Sequence, residues 1–247
     1  MPVCKNCTHT FNGLFCDQCG QQENNGRFTG KELAGDFIAQ VFTFELPLLH
    51  TIQQLLTRPG RFCAEYIRGK RKPYTSPIQY FLIMAGLHLL VRVLTKFDPI
   101  ANQYKAMGTK PPTDKAIQRG ESVGHFISEN LNNFFFILVF IFAFFSWLFF
   151  RKSKFTYTEN VVFAFYIAGT YTIFPTIAIF LSYIHPSLYY CLYLFTIVYL
   201  SWSLVDFHQP VNRLLGTLKG VITSVLSYIV YILFASTVGM MYFHWIR

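Results

Sequence analysis

Five long apolar runs set the pattern of this chain, at about 78–97, 131–150, 160–184, 187–206 and 218–243. Each holds roughly the twenty residues that a helix needs to cross the hydrocarbon of a bilayer. The second, LNNFFFILVFIFAFFSWLFF, is the cleanest, whereas the first carries His88 and Arg92. The third contains Pro175, which a membrane helix tolerates where neighbours satisfy the freed carbonyl. Only His185 and Pro186 separate the third run from the fourth, so the two are expected to form a tight helical hairpin. Upstream, residues 31–57 place apolar side chains at helical spacing: Leu33, Phe37, Ile38, Val41 and Phe42, then Leu48, Leu49, Ile52, Leu55 and Leu56. Pro47 divides this segment into two amphipathic helices, each too short and too polar to span. They are expected on the membrane surface or packed under the bundle. Residues 57–60 read as a turn and 62–68 as a short helix stopped by Gly69, with Pro73 and Pro77 bracketing Tyr74 at headgroup depth.

Composition supports a membrane reading. Hydrophobic residues make up 53% of the 247 and charged residues 13%, against roughly one quarter charged in soluble proteins. Phe alone occurs 28 times. The net charge of +9 is uneven, because Arg58, Arg61, Arg68, Lys70, Arg71 and Lys72 gather just before the first run against one acid, Glu65. Such a cluster is expected to face the cytoplasm and to contact anionic lipid at the membrane surface. It abuts a span and carries no DNA-binding pattern, so nucleic acid is not the expected partner. The first residues lack the apolar core of a secretory signal, which places the N-terminus in the cytosol. The loops at 151–159 and 207–217 are then inside and carry Arg151, Lys152, Lys154 and Arg213, while the long 98–130 loop, four bases against four acids, is outside. This satisfies the positive-inside rule and puts the C-terminus outside.

The N-terminal residues add chemistry. In CKNCTHTFNGLFCDQCG, Cys4 and Cys7 form one CxxC pair and Cys16 and Cys19 another. Each pair presents two sulfurs from one tight knuckle, and two knuckles close a tetrahedral site suited to zinc. Four sulfurs leave no open position, so the zinc is expected to be structural, and His9 is redundant as a ligand. Gly20 suits the positive backbone angle of a knuckle, and residues 11–15, around Asn12 and Gly13, suggest a hairpin between the knuckles. The chain thus divides into a zinc ribbon at 1–22, a stretch of linker, amphipathic helices and basic juxtamembrane elbow at 23–77, and a five-span transmembrane domain at 78–247. The fold class is an all-α membrane protein, a five-helix transmembrane bundle preceded by a short cytosolic ribbon and surface helices.

Two motifs, the ribbon (Cys4, Cys7, Cys16, Cys19) and the set Arg58, Pro59, Gly60, Tyr66, Gly69, Lys70, Arg71, Tyr74 and Pro77, occupy roughly the first third of the chain. Together they resemble the bacterial membrane-protein family catalogued as domain-of-unknown-function family 3667. The resemblance implies this layout and a bacterial cytoplasmic (inner) membrane. It implies no biochemistry and no catalytic residues.

The remaining polar positions are few. His88 and Arg92 lie four apart, hence on one face of the first span. Interhelical bonding by His88 and snorkelling of Arg92 explain them, and a polar intramembrane site is the alternative. Thr170, Tyr171, Thr172 and Thr176 read as interhelical packing, and the Gly216/Gly220 pair sits too near a boundary to be a strong packing signal. Cys63 and Cys191 read as buried thiols. No HExxH or P-loop is present. These features point to a non-enzymatic scaffold or anchor whose partners are the bilayer and a protein at the ribbon, alone or as an oligomer. The alternative is a transporter or channel subunit with a polar path near His88 and Arg92.

Overall fold

The computed structural model describes residues 1–21, 47–109 and 135–245. Helix α1 is described from Pro47 (Pro47–Thr57), and proline starts α2 (Pro59–Ile67), α3 (Pro77–Thr95) and α4 (Pro99–Met107). A first-turn N–H has no partner inside a helix, so its absence from proline does no harm there. There follow α5 (Phe135–Phe149), α6 (Tyr157–Tyr171), α7 (Ile173–Ser182), α8 (Leu188–His208) and α9 (Arg213–Trp245). Thr156 starts α6 with a capping box, its hydroxyl accepting from the Glu159 N–H while the Glu159 carboxylate accepts from the Thr156 N–H.

Among the described residues, four helical stretches are long and apolar enough to cross a membrane: Pro77–Thr95, Tyr157–Ser182, Leu188–His208 and Arg213–Met241. They match four of the five expected runs to within a few residues. The fifth expected run, 131–150, is described only from Phe135, as the shorter apolar helix α5. Residues 131–134, and residues 31–46 of the expected amphipathic pair, lie outside the described residues.

The third run bends at Thr172, between α6 and α7. Pro175 cannot donate to the Tyr171 carbonyl four residues back. The chain tightens there instead: the Thr172 N–H bonds to Gly169 O at 3.2 Å, and the Thr172 hydroxyl bonds to the same oxygen at 2.7 Å.

Helix α1 packs against α2 and α6, and α2 packs against α6 and α8. Leu55, Phe62, Cys63 and Tyr66 share one continuous core with Val162, Phe163 and Tyr166 of the spans. Of the two placements open to the amphipathic segment, its described half is under the bundle. Aromatic rings fill this floor. Phe207 is sandwiched between Phe155 at 4.1 Å and Phe163 at 4.3 Å, both stacked. Tyrosine hydroxyls reach across elements: Tyr166 donates to Thr75 O at 2.6 Å, Tyr199 donates to Leu55 O at 3.1 Å, and Tyr80 meets the Thr170 hydroxyl at 3.0 Å. Such bonds contribute only about 0.6 kcal/mol each within a membrane. They fix register, and ring packing supplies the bulk.

Helix α9 rests on α8 through small residues. A side chain at Gly220 would come 2.7 Å from Ser201 Oγ, and Gly216 is closed off by Pro210. Ser201 donates to Thr217 O at 3.0 Å. Gly220 therefore lets α9 approach α8 closely at Ser201, whereas Gly216 meets the loop at Pro210. Outward positions such as Leu90, Leu94, Leu194, Val198 and Leu233 are apolar and exposed, as lipid-facing positions should be.

Candidate metal centre

The two knuckles are built alike. In each, the residue four after the first cysteine adopts positive φ, Thr8 at 63° and Gly20 at 68°. Each of these donates back to the first cysteine's carbonyl, Thr8 N–H to Cys4 O at 2.9 Å and Gly20 N–H to Cys16 O at 2.7 Å. The first cysteine then donates to the next carbonyl along, Cys4 N–H to His9 O and Cys16 N–H to Gln21 O, both at 2.8 Å. The hairpin expected over residues 11–15 is not formed. The chain bends at Gly13 with φ 118°, and Val3 pairs with Thr10 in an antiparallel bridge.

This geometry turns four sulfurs toward one point. All four lie within 4.8 Å of one another, and across the knuckles Cys4 Sγ is 3.5 Å from Cys19 Sγ and Cys7 Sγ is 3.6 Å from Cys16 Sγ. A tetrahedral ion with sulfur at about 2.3 Å requires edges of about 3.8 Å. The cluster has metal-binding geometry and a donor set consistent with zinc. Phe11 is buried beneath it, and His9 points elsewhere, pairing with Asp17 at 3.4 Å. The sulfurs strongly perturb each other. For Cys19, burial raises the thiol pKa, but the Gln21 backbone, Asn6 and the neighbouring thiols outweigh it and lower it to about 6. At Cys7 the His9 backbone hydrogen bond acts downward, yet burial and the other three sulfurs push the thiol up to about 12.

The ribbon rests on the elbow. Gln21, directly after the second knuckle, is 7% exposed. Its Nε2 donates to Gly69 O, and its Oε1 accepts from Arg71 N–H at 3.2 Å and Lys72 N–H at 3.3 Å. Three backbone groups of the turn are thereby satisfied by one side chain. The elbow is tied to the bundle at its other end, where Asp206 Oδ2 accepts from Gly60 N–H at 2.9 Å and Arg61 N–H at 3.0 Å. Asp206 thus caps α2 across 146 residues of chain.

The six basic residues separate by role. Arg58 lies 3.9 Å and Lys70 3.5 Å from Glu65, and Arg61 lies 3.5 Å from Asp206. The Arg71 guanidinium sits 5.7 Å over the Tyr66 ring, while Arg68 and Lys72 are exposed. His88 Nδ1 is 2.8 Å from Thr176 Oγ1. That hydroxyl donates to Thr172 O, so His88 Nδ1 is the donor to Thr176. Arg92 is in the last turn of α3. Two participants lacked a sequence signal. Gln21 sits in a polar run that reads as linker. The buried knot of Ser146, Asn160 and His208 joins three separate helices, with Ser146 Oγ 2.7 Å from Asn160 Oδ1 and 2.9 Å from His208 Nε2. Ser146 donates to the amide and accepts from the ring, the reverse of a serine activated by a histidine base.

Cys63 is fully buried, and burial first, then the charge of Asp206, raises its thiol well above the ordinary range. It should resist alkylation in the folded protein and react only on unfolding. Cys191, expected to be buried, is exposed. Mass spectrometry after iodoacetamide treatment in detergent checks the protection of Cys63, and its rapid labelling alongside Cys191 would contradict the packing of α2.

These features define an all-helical, multi-pass membrane protein with a four-thiol cluster set on the elbow that leads into its first span. Over residues 47–88 the chain is similar to a family described as "Protein of unknown function (DUF3667)". The match spans α1, α2, the elbow and the first half of α3. No curated protein and no solved structure matches the chain.

Proposed function

We propose that this protein is a non-enzymatic membrane scaffold whose N-terminal ribbon binds a structural zinc ion through Cys4, Cys7, Cys16 and Cys19 and presents a docking surface for another protein. The residues would supply four thiolates in a closed tetrahedral shell, and the ion would supply folding free energy rather than chemistry. In this reading 131–150 completes a fifth span, the N-terminus and the ribbon lie in the cytosol of a bacterial inner membrane, and the C-terminus lies outside. Arg58, Arg61, Arg68, Lys70, Arg71 and Lys72 then line the anionic headgroups.

The observation that carries the docking role is on the ribbon itself. Leu14 is 71% and Phe15 59% exposed, on a module that Gln21 fixes to the bundle. A fixed platform offering two large apolar side chains suits a protein partner, since order has been established before binding. The test is affinity capture from native membranes with wild type and with the double variant Leu14→Ser, Phe15→Ser, at equal metal content. A partner retained by wild type and lost by the double variant is the expected result. Identical capture by both forms sinks the docking role.

A further inference from the structure

The ribbon has almost no apolar core of its own, only Phe11 among the cysteines, and its contact with the elbow is polar and cationic. Gln21 supplies the polar part, and its position is set by the second knuckle through the bond from Cys16 N–H to Gln21 O. Anything that fixes the knuckle therefore fixes the clamp. The cationic part comes from both sides. Lys5, between Cys4 and Cys7, lies so close to Gly69 that a side chain there would come 2.7 Å from Lys5 Cδ, and Gly69 has φ 116°. Lys72 reaches back to the second knuckle, its Nζ 3.8 Å from where a side chain on Gly20 would begin.

Bringing Lys5 onto a turn that holds Arg68, Lys70, Arg71 and Lys72 gathers like charges. Glu65 is shared between Arg58 and Lys70. Four thiolates around a divalent cation carry a net charge of about −2. Lys72 reaches the second knuckle, so that charge attracts it.

Resting on the metal reading above, we infer that the loaded four-thiolate centre latches the ribbon onto the elbow, through the Gln21 amide and the attraction of the centre for Lys72, and that metal loss frees the turn at residues 69–72. The elbow's basic character is then partly a countercharge for the metal, beyond its part in setting topology. Metal state is transmitted to the start of the first span because this turn runs directly into Pro77.

Limited trypsin digestion of the full chain in lipid nanodiscs tests the latch. Trypsin can cut after Arg68, Lys70 and Arg71, but not after Lys72, because Pro73 follows. With metal content measured in parallel, chelation should accelerate these cuts about tenfold, as local opening replaces protection. Gln21→Ala should match that acceleration while keeping its metal. Lys72→Gln, which leaves the amide clamp intact, should give about threefold, more at low salt than at high. A wild type that holds metal yet is cut at the same rate after chelation overturns the latch alone, as does a metal-loaded Gln21→Ala that stays fully protected. A wild type that holds no metal overturns the metal reading itself.

Discussion

Gly60→Ala is expected to destabilise the folded protein by about 3 kcal/mol or more, a large effect for one methyl group. A side chain there would overlap the backbone of α8 at Asp206 and Phe207. Backbone cannot swing aside as the end of a side chain can. Phe207 is also held between two stacked rings, Phe155 and Phe163, so moving α8 would disturb the aromatic floor. Moving α2 instead breaks both bonds to the Asp206 carboxylate. Hydrogen bonds to a charged group are worth about 1.5–3 kcal/mol, so Asp206→Asn, which keeps the shape, should lose part of that and remain folded. Gly86→Ala is the control, since nothing lies within 4 Å of the added carbon; it should be neutral or slightly stabilising in a helix. Thermal melting in detergent, followed by size-exclusion profile, reads all three. A Gly60→Ala protein that melts with wild type would show that α2 does not lie against α8.

The contrast between Gly60 and Gly86 also shows what a sequence can disclose. Both are glycines in helices, and nothing local distinguishes them. Four of the runs were legible because length and apolarity act locally, whereas α4, inside the expected 98–130 loop, and the start of α2 at Pro59, inside the expected turn, were not. The CxxC pairs were legible because their spacing alone makes a knuckle. Asp206 lies near the end of a span, and its role as a cap for α2 depends on an approach 146 residues away in the chain. Gln21 carried no signal, since its partners are backbone atoms 48 to 51 residues on, and backbone groups leave no residue type to read. The bend at Thr172 precedes Pro175 because the carbonyl that proline frees lies four residues earlier, an offset that the proline's own position does not display. His88 illustrates the reverse case, a polar residue in a span whose bonding to Thr176 needs only a neighbouring helix.

Cys16→Ser with Cys19→Ser should abolish metal binding and unfold the ribbon while leaving the spans intact. Structural zinc in small modules supplies roughly 10–16 kcal/mol of apparent binding free energy at neutral pH, which in such modules is folding free energy. The ribbon has little to replace it. Its buried apolar cluster is Phe11 with the cysteines, and its docking bonds to the elbow come chiefly through Gln21. Removing one knuckle's sulfurs leaves two ligands and frees the loop that positions Gln21. The bundle, in contrast, is packed through the aromatic floor and the interhelical bonds of Tyr166 and Tyr199, none of which involves the ribbon. Elemental analysis should therefore fall from one zinc per chain to none, Cys4 and Cys7 should become reactive to a thiol reagent, and helix content should hardly change. Lower pH should act on wild type in the same direction, since binding requires deprotonated sulfur and protons compete with the ion. One outcome refutes the centre outright: purified wild type, never exposed to chelator, that contains no metal and takes up none from added zinc. The four sulfurs would then be a fold relic held by backbone bonds alone, and the ribbon's stability would have to come from the elbow beneath it.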